Sequence, residues 1–233
     1  MKGEKLKFKP LKALWFYRDI LKKEFSEIKD FVDETKNLII SRQKELEKHI
    51  NNEIKKSRHS NSGQEIVEYY IDDIIKYDQT YIEILMNSTF ISSYSLFENS
   101  FCRICKHAQK EKGKQINLND LSGKGINQCK KYIEKVIEID LSSLYTEWEE
   151  IQNYNKVRNL IVHNSANFEK DKSKALERQE MYLFITSNPF INVKREGRGY
   201  FYINDYQFII NFCDKAEKFL SEIIDKILNL EKK

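Results

Sequence analysis

Residues 82–101 read Ile-Glu-Ile-Leu-Met-Asn-Ser-Thr-Phe-Ile-Ser-Ser-Tyr-Ser-Leu-Phe-Glu-Asn-Ser-Phe. Ile82, Leu85, Met86, Phe90, Tyr94, Phe97 and Phe101 recur there at three- and four-residue steps. That interval places side chains on one face of an α-helix. The stretch is the most apolar in the chain and is the expected central core helix. It fades over Lys110–Lys114, where Gly113 is a stop signal.

The same periodicity extends in both directions. Upstream, Ile66, Tyr69, Tyr70, Ile74 and Tyr77 form a stripe that begins near Gln64. Earlier still, Leu14, Phe16, Ile20, Leu21, Phe25, Ile28, Phe31 and Val32 predict a helix from Leu11. Leu38, Ile39, Leu46 and Ile50 prolong it, and its length leaves a break near Asn37 open. Residues 1–10 read as a basic lead-in ended by Pro10, and Ser57–Gly63 as a loop. Downstream of a loop at 115–125, a helix over Ile126–Ile139 is expected to bury Ile126, Cys129, Tyr132, Ile133 and Val136. Asp140–Ser143 interrupts it. The next helix runs to Val162 with Trp148, Ile151, Val157, Leu160 and Ile161 inward. Residues 165–180 are polar and read as loop with a short helix.

The period then changes. Phe190–Arg195 and Arg198–Ile203 are β-prone runs around Glu196-Gly197, the pattern of a hairpin. Asn204 or Asp205 caps a last helix to about Leu230, with Phe208, Ile209, Phe212, Ala216, Phe219, Ile223, Ile224 and Ile227 as its stripe. The expected fold is all-α: a bundle of about five helices with one small β-hairpin insertion near 190–203. The chain reads as one domain over 1–233, with a helical N-terminal extension at 1–60 and the bundle core at 65–230.

Composition narrows the class. With 233 residues, 40% of them hydrophobic, and 13 Tyr and 14 Phe, the chain can bury a core. Only 7 Gly and 2 Pro exclude collagen-like and Pro/Gly-rich chains and disfavour turn-dense β folds. The net charge is +4 and unevenly spread. Residues 101–135 hold nine Lys/Arg against three Asp/Glu, and residues 1–60 sixteen against ten, so the remainder is acidic. A basic stretch attracts phosphates, and it is also the ordinary look of a solvated helix face. A basic start without a following apolar run does not make a secretory signal. No window of about 18 apolar residues predicts a membrane span. Four Cys in this length do not make a disulfide framework. The expected compartment is the cytoplasm.

One stretch concentrates chemistry: Asn155-Lys156-Val157-Arg158-Asn159-Leu160-Ile161-Val162-His163-Asn164. Cleaving RNA without a metal needs a group that titrates near neutrality, and imidazole does so at about 6.5. It also needs a fixed cation on the phosphate, which a guanidinium supplies with a planar fork of donors. Five residues apart on a helix, Arg158 and His163 stand about 140° apart around the axis. Both can border one groove, particularly if a second copy supplies the opposite wall. Asn159 adds a neutral donor.

Arg158-Asn159-x-x-x-His163 resembles the R-x4–6-H motif of the HEPN superfamily, in which a polar residue, commonly Asn, often follows the Arg. Phe90–Glu98 is similar to the long core helix of bacterial HEPN families, and the resemblance covers about residues 65–230. It implies an all-α nucleotide- or RNA-processing domain. Its members include dimeric, metal-independent ribonucleases of toxin–antitoxin and antiphage systems, and others that have lost activity. On that resemblance Arg158, His163 and Asn159 are the catalytic set. RNA is the substrate, no cofactor or metal is required, and a homodimer with an antitoxin or regulatory protein is expected. Two alternatives stay open: a non-catalytic RNA- or protein-binding module of the same fold, and a helical dimeric scaffold.

Other residues are weighed beside this set. Glu98 flanks the core stripe and is a candidate to hold the Arg158 guanidinium, or else an ordinary ion-pair or rim residue. Tyr154 and Asn155 lie one turn ahead of the motif and either line the groove or simply pack. Lys124, Lys130 and Lys131 extend the basic surface as candidate RNA contacts. Cys102-Arg-Ile-Cys105 with His107 has the spacing of a zinc half-site, but the other half is missing and buried thiols are the better reading. Gly123-Lys124-Gly125 lacks the remaining residues of a phosphate loop. Tyr200-Phe-Tyr202 either stacks bases or packs the hairpin. His49 and His59 receive no role.

Overall fold

A computed structural model describes residues 11–57, 62–168, 180–194 and 199–229. The lead-in at 1–10, His59, the Glu196-Gly197 turn and most of the polar stretch after Phe168 lie outside the described residues. The fold is all-α with a two-stranded antiparallel insertion. The long helices are α1 (Leu11–Lys56), α4 (Tyr81–Glu111), α6 (Tyr145–Asn164) and α8 (Gln207–Asn229). Shorter ones are α2 (Ser62–Tyr69), α3 (Ile71–Ile75), α5 (Gly125–Lys135) and α7 (Glu180–Ser187). Among the described residues the count exceeds the expected five because the region from Gln64 to Tyr81 is broken into pieces and α7 adds a short helix ahead of the hairpin. The Tyr70 backbone leaves helical geometry at ψ 6°, and Lys76–Thr80 forms a π-helical turn before α4. The Gln43 side-chain amide donates to the Tyr77 carbonyl at 3.1 Å and to Asp78 Oδ1 at 3.0 Å, which holds that turn. By contrast, α1 passes through Asn37 unbroken.

The chain divides into two compact units. The first comprises residues up to Glu27, Ser92–Lys156 and residues from Asn211 onward. Its core is aromatic. Phe97, Phe101, Phe212 and Phe219 are fully buried. Phe101 meets Phe219 edge-on at 5.7 Å, Tyr94 stacks on Phe212 at 5.7 Å, and Trp148 lies 5.7 Å from Phe219. Leu14, Leu21 and Phe25 of α1 and Ile126, Cys129, Tyr132 and Ile133 of α5 complete it. At the edge, Arg18 pairs with Asp225 at 2.9 Å and Lys218 with Glu147 at 2.9 Å.

The second unit comprises Ile28–Ile91 and Val157–Ile210. Phe90 packs edge-on against Phe208 at 5.0 Å, beside buried Met86 and Ile209. Strand β1 (Ile191–Lys194) pairs with β2 (Tyr200–Ile203), with Ile191 opposite Ile203 and Lys194 opposite Tyr200. The alternation puts Phe201 and Ile203 inside and leaves Tyr200 and Tyr202 half-buried. Asp205 Oδ1 accepts from the Gln207 amide at 2.8 Å and starts α8.

Not every member of the apolar repeat that predicts α1 faces the core. Leu14, Leu21, Phe25 and Val32 are buried, but Phe16, Ile20 and Phe31 are about half exposed. Steps of three and four describe two neighbouring stripes equally well, and only one faces the core. Tyr69 is likewise 80% exposed.

Candidate functional site

Helix α6 carries the Arg–Asn–His stretch. Glu147 in its first turn and His163 in its last suit the helix dipole. Val157 is buried, and Leu160 and Ile161 are half-buried. This apolar side seats the helix while Arg158 stays half-exposed and Asn159 and His163 are open to solvent. Arg158 Nη1 donates to Asn159 Oδ1 at 3.0 Å. That bond orients the guanidinium and turns the amide so that its Nδ2 remains the donor end. Along the axis Arg158 and His163 are separated by about 7.5 Å.

The exit from α6 is built with unusual backbone. Ser165 and Ala166 take positive φ values of 52° and 58°. For non-glycine residues this conformation costs of order 1–3 kcal/mol each and persists only where surroundings enforce it. The enforcement is visible. The Ala166 amide donates back to the Leu160 carbonyl at 3.0 Å, and the Ala166 carbonyl accepts from the Phe201 amide at 3.1 Å. The Phe168 amide donates to the Gly199 carbonyl at 3.3 Å, and Asn167 bridges Tyr200. Residues 166–168 thus form a third edge to the hairpin, directly after His163. Gly199, at φ 59°, is required here because a Cβ would lie 2.9 Å from the Phe168 ring.

The remaining candidates are placed as follows. Tyr154 is 6% exposed with its ring 5.1 Å from Phe212, so it packs in the first unit instead of lining a groove. Burial pushes its phenol up from the ordinary tyrosine value, and it stays protonated. Asn155 is half-exposed on α6. Glu98 is half-buried in the first unit, with its carboxylate against the first residue of α5. A Cβ on Gly125 would stand 2.6 Å from Glu98 Oε1. Of the lysines, Lys124 is exposed at the N-cap of α5. Lys130 pairs with Glu134 and lies 5.7 Å from the Trp148 ring, which spends its charge locally. Lys131 donates to Ser122 Oγ at 2.8 Å. Among the described residues no cluster of three or more His, Cys, Asp or Glu is arranged to hold a metal. His107 lies against the Tyr17 ring at 5.8 Å, and burial lowers its pKa from the usual histidine range. His49 is hydrogen-bonded to the Tyr70 hydroxyl at 2.9 Å. Also among the described residues, no helix is long and apolar enough to cross a membrane.

Sequence reasoning missed Ser165, Ala166, Phe168 and Gly199. Ser and Ala carry no left-handed preference, so their types gave no signal. Only Gly199, a lone glycine beside a strand, hinted at a close approach.

No protein-family model, curated protein or solved structure matches the chain.

Proposed function

We propose that this chain is a HEPN-like, metal-independent endoribonuclease acting as a cytoplasmic toxin or antiphage effector. The observation that carries the reading is the last two turns of α6. They offer a guanidinium, an amide bonded to it and an imidazole to solvent on an otherwise seated helix. Arg158 binds the scissile phosphate and stabilises charge on the pentacoordinate phosphorus. His163 takes the 2′-hydroxyl proton or protonates the leaving 5′-oxygen. Asn159 steadies Arg158 and donates to a phosphate oxygen. The product carries a 2′,3′-cyclic phosphate.

With Arg158 and His163 about 140° apart on one helix, a homodimer supplies the facing pair that closes the groove. An unrestrained ribonuclease harms its host, so an antitoxin or regulatory protein partners it, by analogy with the superfamily.

The test is RNA cleavage in EDTA by wild type, Arg158→Ala and His163→Ala, each checked for folding and self-association. The expected result is cleavage by wild type to cyclic-phosphate ends, with both variants folded and inactive. Equal cleavage by all three removes Arg158 and His163 from the mechanism. A folded wild type that binds transfer, messenger or ribosomal RNA without cutting it moves the protein to the binding-module reading.

A further inference from the structure

Three of the four cysteines gather between α4 and α5. Cys102 Sγ lies 3.2 Å from Cys129 Sγ, and Cys105 Sγ lies 3.6 Å from the Cys129 carbonyl. The approach is built into the seam between these helices. Glu98 meets Gly125, and one turn further along both helices Cys102 meets Cys129. Because Gly125 has no side chain, the start of α5 comes close enough for a carboxylate oxygen to occupy the space a Cβ would fill. The thiols are therefore held in register by the packing around them.

We propose that Cys102 and Cys129 are a disulfide-forming pair whose oxidant is hydrogen peroxide. Closing the bond needs about 1 Å of sulfur movement toward the usual ~2.05 Å separation, within the reach of side-chain rotation. Cys102 is half-exposed and takes the oxidant, while Cys129 is buried and resolves. The Cys102 sulfur attacks a peroxide oxygen and the O–O bond breaks. Cys102 becomes a sulfenic acid and the departing hydroxide takes up the thiol proton as water. The Cys129 sulfur then attacks Cys102 and the S–O bond breaks. The second hydroxide leaves as water with the Cys129 proton. Two thiols have lost two electrons and two protons, and one peroxide has become two waters.

The hydrogen bond to Cys129 and burial hold the Cys102 thiol above the usual cysteine range. With thiolate scarce near neutrality the pair closes slowly. The bond ties α5, which bears Lys130 and Lys131, to the central helix α4. It is independent of the ribonuclease reading.

The test treats the reduced full-length protein with graded hydrogen peroxide, then alkylates it in denaturant and maps the peptides. The expected result is loss of two of the four thiols and a peptide joined through Cys102 and Cys129 that a dithiol reductant separates. Buried Cys213 remains alkylated in full and serves as the internal control. In Cys129→Ser, the Cys102 sulfenic acid persists and is captured by a 1,3-dione probe. The proposal is overturned if Cys102 and Cys129 stay alkylatable across the titration. A crosslink through another pair, or Cys102 passing to the sulfinic acid with Cys129 still free, overturns it equally.

Discussion

Replacing Gly199 with Ala tests how the exit of the motif helix is held. The added Cβ meets two penalties. At φ 59° a non-glycine residue sits in the left-handed region, at about 1–2 kcal/mol. The new methyl would also lie 2.9, 3.0 and 3.3 Å from three atoms of the Phe168 ring. Phe168 is 4% exposed, with Tyr182 at 5.7 Å and Phe201 at 6.1 Å, so the ring has little space to retreat into. Overpacking of this kind costs about 1–3 kcal/mol. Together the terms predict a loss of about 3 kcal/mol. Urea unfolding followed by circular dichroism reads this as a midpoint lowered by about 1–2 M at an m value of about 2 kcal/mol/M. The double variant Gly199→Ala/Phe168→Leu separates the two penalties. With the ring gone only the backbone strain remains, and the two substitutions show a coupling of about 1–3 kcal/mol. A loss under about 1 kcal/mol for Gly199→Ala alone, or strict additivity in the double variant, refutes the account of a glycine demanded by Phe168.

Phe219→Ala removes a fully buried ring that touches Phe97, Phe101 and Trp148. Its expected cost in the same unfolding experiment is about 3–5 kcal/mol, and a near-neutral result contradicts the aromatic core of the first unit. Asp205→Ala deletes the carboxylate that accepts the Gln207 amide. It should cost about 1 kcal/mol and speed amide exchange in the first turn of α8, and unchanged exchange there denies the cap. Arg158→Lys keeps the charge but loses the planar fork. Under the proposed ribonuclease reading RNA cleavage falls at least tenfold at an unchanged melting temperature, and full activity means that a point charge suffices. Arg18→Ala removes a partly exposed ion pair with Asp225 and should change stability by at most about 1 kcal/mol, so a larger loss shows that its aliphatic stem packs.

Much of the fold was legible because burial and period coincide in its central elements. Phe90, Tyr94, Phe97 and Phe101 are all buried at the spacing that suggested their helix, as is every apolar residue of the α8 stripe. The hairpin was legible from the change to period two, and its register agrees with the two runs. What was not legible depends on contacts that the local pattern does not carry. Phe16, Ile20 and Phe31 are apolar at helical spacing yet face away from the core, since hydrophobicity alone does not choose between two adjacent stripes. The π-helical turn at Lys76–Thr80 is a register shift fixed by Gln43, a residue more than thirty positions away. At the site, Arg158, Asn159 and His163 were legible as chemical types on one helix. The reversal after His163 was not, because pairing with Phe201 imposes it on residues without a left-handed preference. Lys130 looked like a free cation in the sequence, but Glu134, four residues on, neutralises it.

The hydrogen bond between Phe168 and Gly199 has an evolutionary consequence. It joins two residues thirty-one positions apart, so the ends of the intervening stretch are fixed to one another. An excursion whose two ends already meet can be lengthened, shortened or exchanged at an entropic cost that grows only with the logarithm of its length. Insertions in that stretch are therefore tolerated where they spare β1 and the buried Ile185 and Ile191, and the helix bearing Arg158 and His163 keeps the same exit. Length variation among relatives should be concentrated between Phe168 and Gly199.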